Sequence, residues 1–164
     1  MATQRHKQYN TIYGLLFSIC LVCLLEAQTV SRGITNMNMK KSWLDEVLTI
    51  PYPAPELGQH PMLQVIRQDF EQLELNRSVI KTPITIGTRP FRHGLGTHSI
   101  SHIRVYSPEP IIRFSAWIGV DNNERTQGSR GSVVFSISAY SSELYRSGVL
   151  RGGQEPERID ISIN

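Results

Sequence analysis

Ile112-Arg113-Phe114-Ser115-Ala116-Trp117-Ile118-Gly119-Val120, followed by Asp121-Asn122-Asn123, is the stretch that decides the fold. Ile112, Phe114, Ala116, Ile118 and Val120 alternate with Arg113, Ser115, Trp117 and Gly119. A period of two over this length describes a strand with one buried face, and the Asp-Asn-Asn run supplies the turn chemistry that ends it. Trp117 falls on the polar face with Arg113 and Ser115, where an aromatic ring can offer a platform to the apolar side of a sugar or pack under a neighbouring segment.

The same period holds on both sides. Upstream, Ile84 and Ile86 flank Thr85 before Gly87, and Ile103 and Val105 alternate with His102, Arg104 and Tyr106. Downstream, Val133, Phe135, Ile137 and Ala139 oppose Ser132, Ser136 and Ser138, and Ile159, Ile161 and Ile163 oppose Asp160 and Ser162. Short alternating strands between Gly, Pro, Asn and Ser loops predict an all-β, antiparallel β-sandwich. There is no βαβ rhythm and no repeat. The residues at 65–75, VIRQDFEQLEL, keep no clean period and fit either a short helix or a strand with a bulge.

The N-terminus reads differently. Arg5, His6 and Lys7 precede an apolar run over residues 12–25, and Glu26-Ala27-Gln28 ends it. This is the pattern of a signal peptide over residues 1–27, shorter than the ~18–20 apolar residues of a spanning helix. An uncleaved membrane anchor through residues 12–25 is the alternative. Residues 28–41 read as a linker and residues 42–164 as one domain. Ser42-Trp43-Leu44 opens that domain, and four prolines between residues 50 and 61 make a loop there. Cys20 and Cys23 both lie in the apolar run, so removing it leaves no cysteine for a disulfide or a thiolate site. The expected location is secreted or cell envelope, in a bacterium. A net charge of +3 from scattered basic residues gives no stripe for a nucleic-acid partner.

Thr82-Pro83-Ile84-Thr85-Ile86-Gly87, then Phe91-Arg92-His93-Gly94-Leu95-Gly96-Thr97-His98-Ser99, then Phe114-Ser115-Ala116-Trp117-Ile118-Gly119-Val120-Asp121 and Gly131-Ser132-Val133-Val134-Phe135 form an ordered set. Leu144-Tyr145-Arg146-Ser147-Gly148-Val149 and Ile159-Asp160-Ile161 continue it. In this order they resemble the NPCBM family of carbohydrate-binding modules, which is attached to family 98 glycoside hydrolases and α-galactosidases. The resemblance implies a galactose-binding-like jelly roll and a glycan partner of galactose type. Family members usually continue into further strands with an Asp-Trp pair, and this sequence stops before them, so a C-terminally truncated module is expected. Trp117 stands where the family pattern has a smaller apolar residue.

Four residues are candidates for carbohydrate contact. His98 follows Gly94 and Gly96, whose spacing suits a tight backbone crossing, and its imidazole could serve a sugar hydroxyl or satisfy backbone groups at a sheet corner. Trp117, Tyr140 and Tyr145 are strand- and loop-edge aromatics, with core packing as the competing role. Asp121 and Asn123 are candidate ligands for a structural Ca²⁺, against plain turn chemistry. No G-x-S-x-G, H-E-x-x-H or Walker pattern occurs, and the acidic residues after Lys81 form no strand-end pair, so no enzyme activity is expected. The chain is then a secreted, non-catalytic binding module. The alternatives are the front of a glycoside hydrolase, or an adhesive sandwich without a sugar site.

Overall fold

A computed structural model describes residues 11–17 and 26–29 as backbone strands, and residues 62–107 and 110–163 in full. Trp43 and the proline-rich stretch between residues 50 and 61 lie outside these residues.

In chain order the strands are β1 (Thr11–Phe17), β2 (Glu26–Thr29), β3 (Met62–Gln68), β4 (Glu74–Leu75), β5 (Ile84–Ile86) and β6 (Arg89–Phe91). They continue with β7 (Leu95–Gly96), β8 (Ser101–Tyr106), β9 (Ile111–Ile118), β10 (Ser132–Ala139), β11 (Ser142–Arg146), β12 (Leu150–Arg151) and β13 (Glu157–Ser162). One sheet runs β11-β10-β1-β8-β3, with β12 also on β10, and a second runs β13-β9-β2. Every pairing is antiparallel. Two small ribbons, β4-β7 and β5-β6, complete the strand pairing, and Ile86 of β5 bridges to Asp121 after β9.

The alternation explains the layers. Ile103 and Val105 of β8 and Val133, Phe135, Ile137 and Ala139 of β10 face Phe114, Ala116 and Ile118 of β9 and Ile159 of β13 in one buried cluster. Each buried Val, Ile or Phe side chain there contributes about 1.5–3 kcal/mol relative to exposure. A second, smaller cluster joins Ile84, Ile86 and Phe91 to Trp117. The β-sandwich is the predicted one.

Two local readings change. Ile112 is 43% exposed and Ile111 is fully buried, the reverse of the expected face. Opposite this point β2 pairs Gln28 with Arg113 and Thr29 with Ile111, so Ile112 bulges out and the register slips by one. The 65–75 stretch resolves as strand β3 with a bulge between Val65 and Arg67, followed by a turn and β4.

The N-terminal run carries β1, which lies between β8 and β10 and pairs with both. A leader that is cut off cannot also fill that position, so its removal leaves β8 and β10 one strand apart. Among the described residues no helix is long and apolar enough to cross a membrane.

Candidate functional site

One end of the sandwich is built from loops that are hydrogen-bonded almost residue by residue. Asp121, 1% exposed, follows β9. Its Oδ1 accepts the Thr85 N–H at 2.8 Å and its Oδ2 accepts the Asn123 side-chain N–H at 2.7 Å. Asn122 donates its N–H to the Thr85 carbonyl at 2.6 Å and its side-chain N–H to the Gly87 carbonyl at 3.0 Å. The Asn123 Oδ1 accepts the Arg125 N–H at 2.9 Å, and the Thr126 hydroxyl donates to the Asp121 carbonyl. Arg130 reaches over the loop to the Gln127 and Glu124 carbonyls at 2.7 and 3.0 Å. The turn is thereby locked to β5. Gly119 is required there, because a Cβ would lie 2.4 Å from Ile86 Cγ2.

Facing it is a second closed turn. Ser78 and Thr82 join side chains at 2.8 Å, Ser78 donates its N–H to the Thr82 carbonyl at 2.9 Å, and Lys81 takes a left-handed backbone with φ 66. This turn sits directly on β7, where a Cβ on Gly96 would lie 2.2 Å from the Arg77 carbonyl oxygen. The tight crossing expected of the Gly94–Gly96 spacing is therefore present at Gly96.

Between the two turns lies a pocket of ≈ 550 Å³ lined by residues 79–83 and 122–125. Lys81, Arg125 and Glu124 give it charge of both signs, while Thr82, Asn122 and Asn123 supply neutral donors and acceptors. Such a lining suits several hydroxyl groups at once. No aromatic ring is among the lining residues.

The predicted residues are distributed around this end rather than gathered in it. His98 is placed beside the pocket: its Nε2 lies 3.0 Å from Glu71 Oε2, and Glu71 Oε1 lies 3.8 Å from Arg125 Nη1. It thus pairs with an exposed carboxylate, not with sheet-corner backbone. Trp117 is half-buried on the outer face of β9, beside Phe91 at a ring separation of 6.5 Å. Tyr140 is 52% exposed at the two-residue turn from β10 to β11, where Tyr140 and Ser141 both take left-handed backbones with φ 52 and 74. Tyr145 packs against the core and donates its hydroxyl to Glu157, tying β11 to β13 across the sandwich. Burial and the neighbouring Glu157 carboxylate both push the Tyr145 phenol well above its usual range. These four side chains make no hydrogen bond or ring contact with one another.

Asp121 and Asn123 do come together, but toward N–H donors. Calcium needs six to eight oxygens pointing at one centre. Both Asp121 carboxylate oxygens and the Asn123 amide oxygen already accept N–H groups, so this donor set does not fit the ion. Among the described residues no group of three or more His, Cys, Asp or Glu could hold a metal.

The pocket itself was missed by sequence reading. Lys81, Thr82 and Arg125 lie in two loops some forty residues apart (~40, the separation across β5 to β9 that a non-local contact bridges). The only hint was the oxygen-rich run after β9.

The family profile described as the NPCBM/NEW2 domain matches residues 56–164. Over 167 aligned residues the chain is 26% identical to a protein named "Alpha-1,3-galactosidase B" from Akkermansia muciniphila, covering 97% of this chain and 19% of that protein. It is 33% identical over 82 residues to a protein named "Putative endo-alpha-N-acetylgalactosaminidase" from Renibacterium salmoninarum, covering 50% of this chain and 5% of that protein. The chain thus spans a fifth or less of the length of these relatives. No solved structure matches it.

Proposed function

Because the chain belongs to the NPCBM/NEW2 domain family, a family of carbohydrate-binding modules of glycoside hydrolases, we propose that it is a non-catalytic module that holds a galactose-type glycan at the loop end of its sandwich. The observation that carries this reading is that the family match over residues 56–164 includes both turns that wall the polar pocket. Asn122, Thr82 and the charged groups of Lys81, Glu124 and Arg125 are the groups we assign to bonding sugar hydroxyls, with Asn123 bracing the wall through Asp121 and the Arg125 N–H and His98 on the rim. A single open site of this kind binds weakly and works by tethering, raising the local concentration of glycan for whatever is joined to it. A location in the envelope of a bacterial cell or outside it belongs to the same proposal.

The test is a glycan array probed with the folded full chain, followed by titration of the best ligand. Binding to galactose-terminated glycans, weakened at least tenfold in Arg125→Ala, is expected. A folded protein that binds none of them would refute the reading.

The small share of the relatives that the chain covers favours a companion reading, in which this module is one region of a glycoside hydrolase whose catalysis resides elsewhere. The isolated chain should then show no turnover of galactoside substrates. Measurable turnover abolished by a substitution in this chain would oppose it.

A further inference from the structure

We propose a second glycan site, on the outer face of the β9–β13 sheet around Trp117, that takes sugars carrying an oxyanion such as a sulfate ester or a carboxylate. It rests on the reading of the chain as a glycan-binding module, and it names a ligand class that the pocket does not select.

The geometry points to it through three arginines. The Arg89 guanidinium carbon lies 4.0 Å from the centroid of the Trp117 ring and 5.2 Å from that of Phe91. Arg158, the cross-strand partner of Trp117, lies 5.9 Å from the same indole. Arg113 sits two pairs along the same face. Beside them on β13 lies the carboxylate of Asp160, and Arg113 holds both of its oxygens at 2.6 and 2.5 Å, while Glu26 of β2 stands opposite Ser115. Arg158 stands 3.6 Å from one of those oxygens, a loose second contact. Glu155, the next acid along, accepts the Thr88 hydroxyl and N–H. Among the described residues Arg89 pairs with no carboxylate.

A guanidinium laid on an aromatic ring uses its face for the ring and keeps its five in-plane N–H donors free. The ring also removes water from one side of the cation, which raises the return from meeting an anion. The planar fork matches a carboxylate or sulfate in two-point contact. The arm is held in place as well. Arg89 starts β6, whose tight turn from β5 carries Gly87 at φ 56, and Phe91 anchors that ribbon in its own small core with Ile84, Ile86 and Trp117. With Arg89 over it, the indole serves as the support of the cation, and the oxyanion of the sugar meets the guanidinium fork.

The experiment titrates the folded full chain with a sulfated galactose-terminated oligosaccharide, a sialylated one and their uncharged parent. The acidic glycans should bind about tenfold more tightly than the parent at low salt, an advantage that fades as sodium chloride approaches ~0.5 M. Arg89→Gln combined with Arg158→Gln should abolish the advantage and leave the parent's affinity unchanged. Equal affinity for acidic and uncharged glycans, or an advantage that survives the double substitution, would overturn this site while leaving the pocket standing. If neither class binds, the glycan-binding reading and this site both fall. Preference for the sulfated over the sialylated glycan, or the reverse, identifies which oxyanion the face takes.

Discussion

Replacing Asp121 tests whether the loop end is held by the bonds described or by something else. Asp121→Ala removes the acceptors of two donors, the Thr85 N–H and the Asn123 side-chain N–H, at a side chain that is 1% exposed. A buried donor left without a partner costs ~1–3 kcal/mol, so the gross loss is about 2–6 kcal/mol. The folded state of the native chain also carries the desolvation of the carboxylate, which the alanine relieves, so the net expectation is about 2–4 kcal/mol. Against a total stability of about 5–15 kcal/mol, that is a large fraction. Asp121→Asn keeps an acceptor for Thr85 but turns an NH₂ toward the NH₂ of Asn123, and should cost about half as much, ~1–2 kcal/mol. Urea unfolding followed by far-UV circular dichroism, with the slope checked for constancy, measures both. Asp121 also fixes Asn122 and Asn123 on the pocket wall, so the asparagine variant should lose glycan affinity while still folded. An alanine variant destabilised by less than ~1 kcal/mol would refute the argument, because two stranded buried donors cannot be that cheap.

Three further outcomes follow from the same contacts. The Tyr145 phenol is pushed up by burial and by Glu157, so the folded chain holds that proton more tightly than the unfolded one. Its contribution is therefore complete below the unfolded value near ~10 and is lost as pH rises through the folded value, and Tyr145→Phe should flatten the alkaline limb of Tm against pH. An alkaline limb unchanged by that substitution would contradict it. Chelation by EDTA or added calcium should move Tm by less than ~1 °C, whereas an ion at a hundredfold its Kd would add about 2.7 kcal/mol and several degrees. A shift of that size would restore calcium as a ligand of Asp121 and Asn123. A chain lacking residues 1–27 loses β1, which pairs six residues with β10 and six with β8. At ~0.5–1.5 kcal/mol per net hydrogen bond, this rivals the whole stability of a domain, so residues 28–164 alone should unfold without a sharp transition, with a peptide of residues 11–17 restoring it. An unchanged midpoint and slope would show that β1 is dispensable.

The parts of the molecule legible in its sequence are those set by a period of two. β9, β10 and β13 each bury one face against a single core, and nothing else in a sequence produces that alternation over six to eight residues. The bulge at Ile112 was illegible because Ile111 and Ile112 are chemically identical, and either can be the buried one until the neighbouring strand fixes the register. The run over residues 12–25 carries an ambiguity of another kind. An export leader and a strand flanked on both sides are both continuous apolar stretches, and composition alone separates them poorly. Asp121 and Asn123 show why a spacing of oxygens is weak evidence for a cation: the sequence counts the oxygens, while the fold decides whether N–H groups reach them first.

The placement of Trp117 connects these threads. Periodicity put it on the outer face with Arg113 and Ser115, and that is where it lies. What periodicity could not supply is that β5–β6 folds back to lay Arg89 over the ring, because the ribbon is ordered by contacts between residues far apart in the chain. A smaller side chain would leave the Arg89 guanidinium without its aromatic support, free to fold into solvent. The indole therefore does more than cover the sheet: it fixes a cation at the surface of a module whose pocket carries charge of both signs. Two weak contacts of different chemistry on one rigid body multiply rather than add when a single glycan engages both, so a modest oxyanion site would change which glycans the module retains far more than its own affinity suggests.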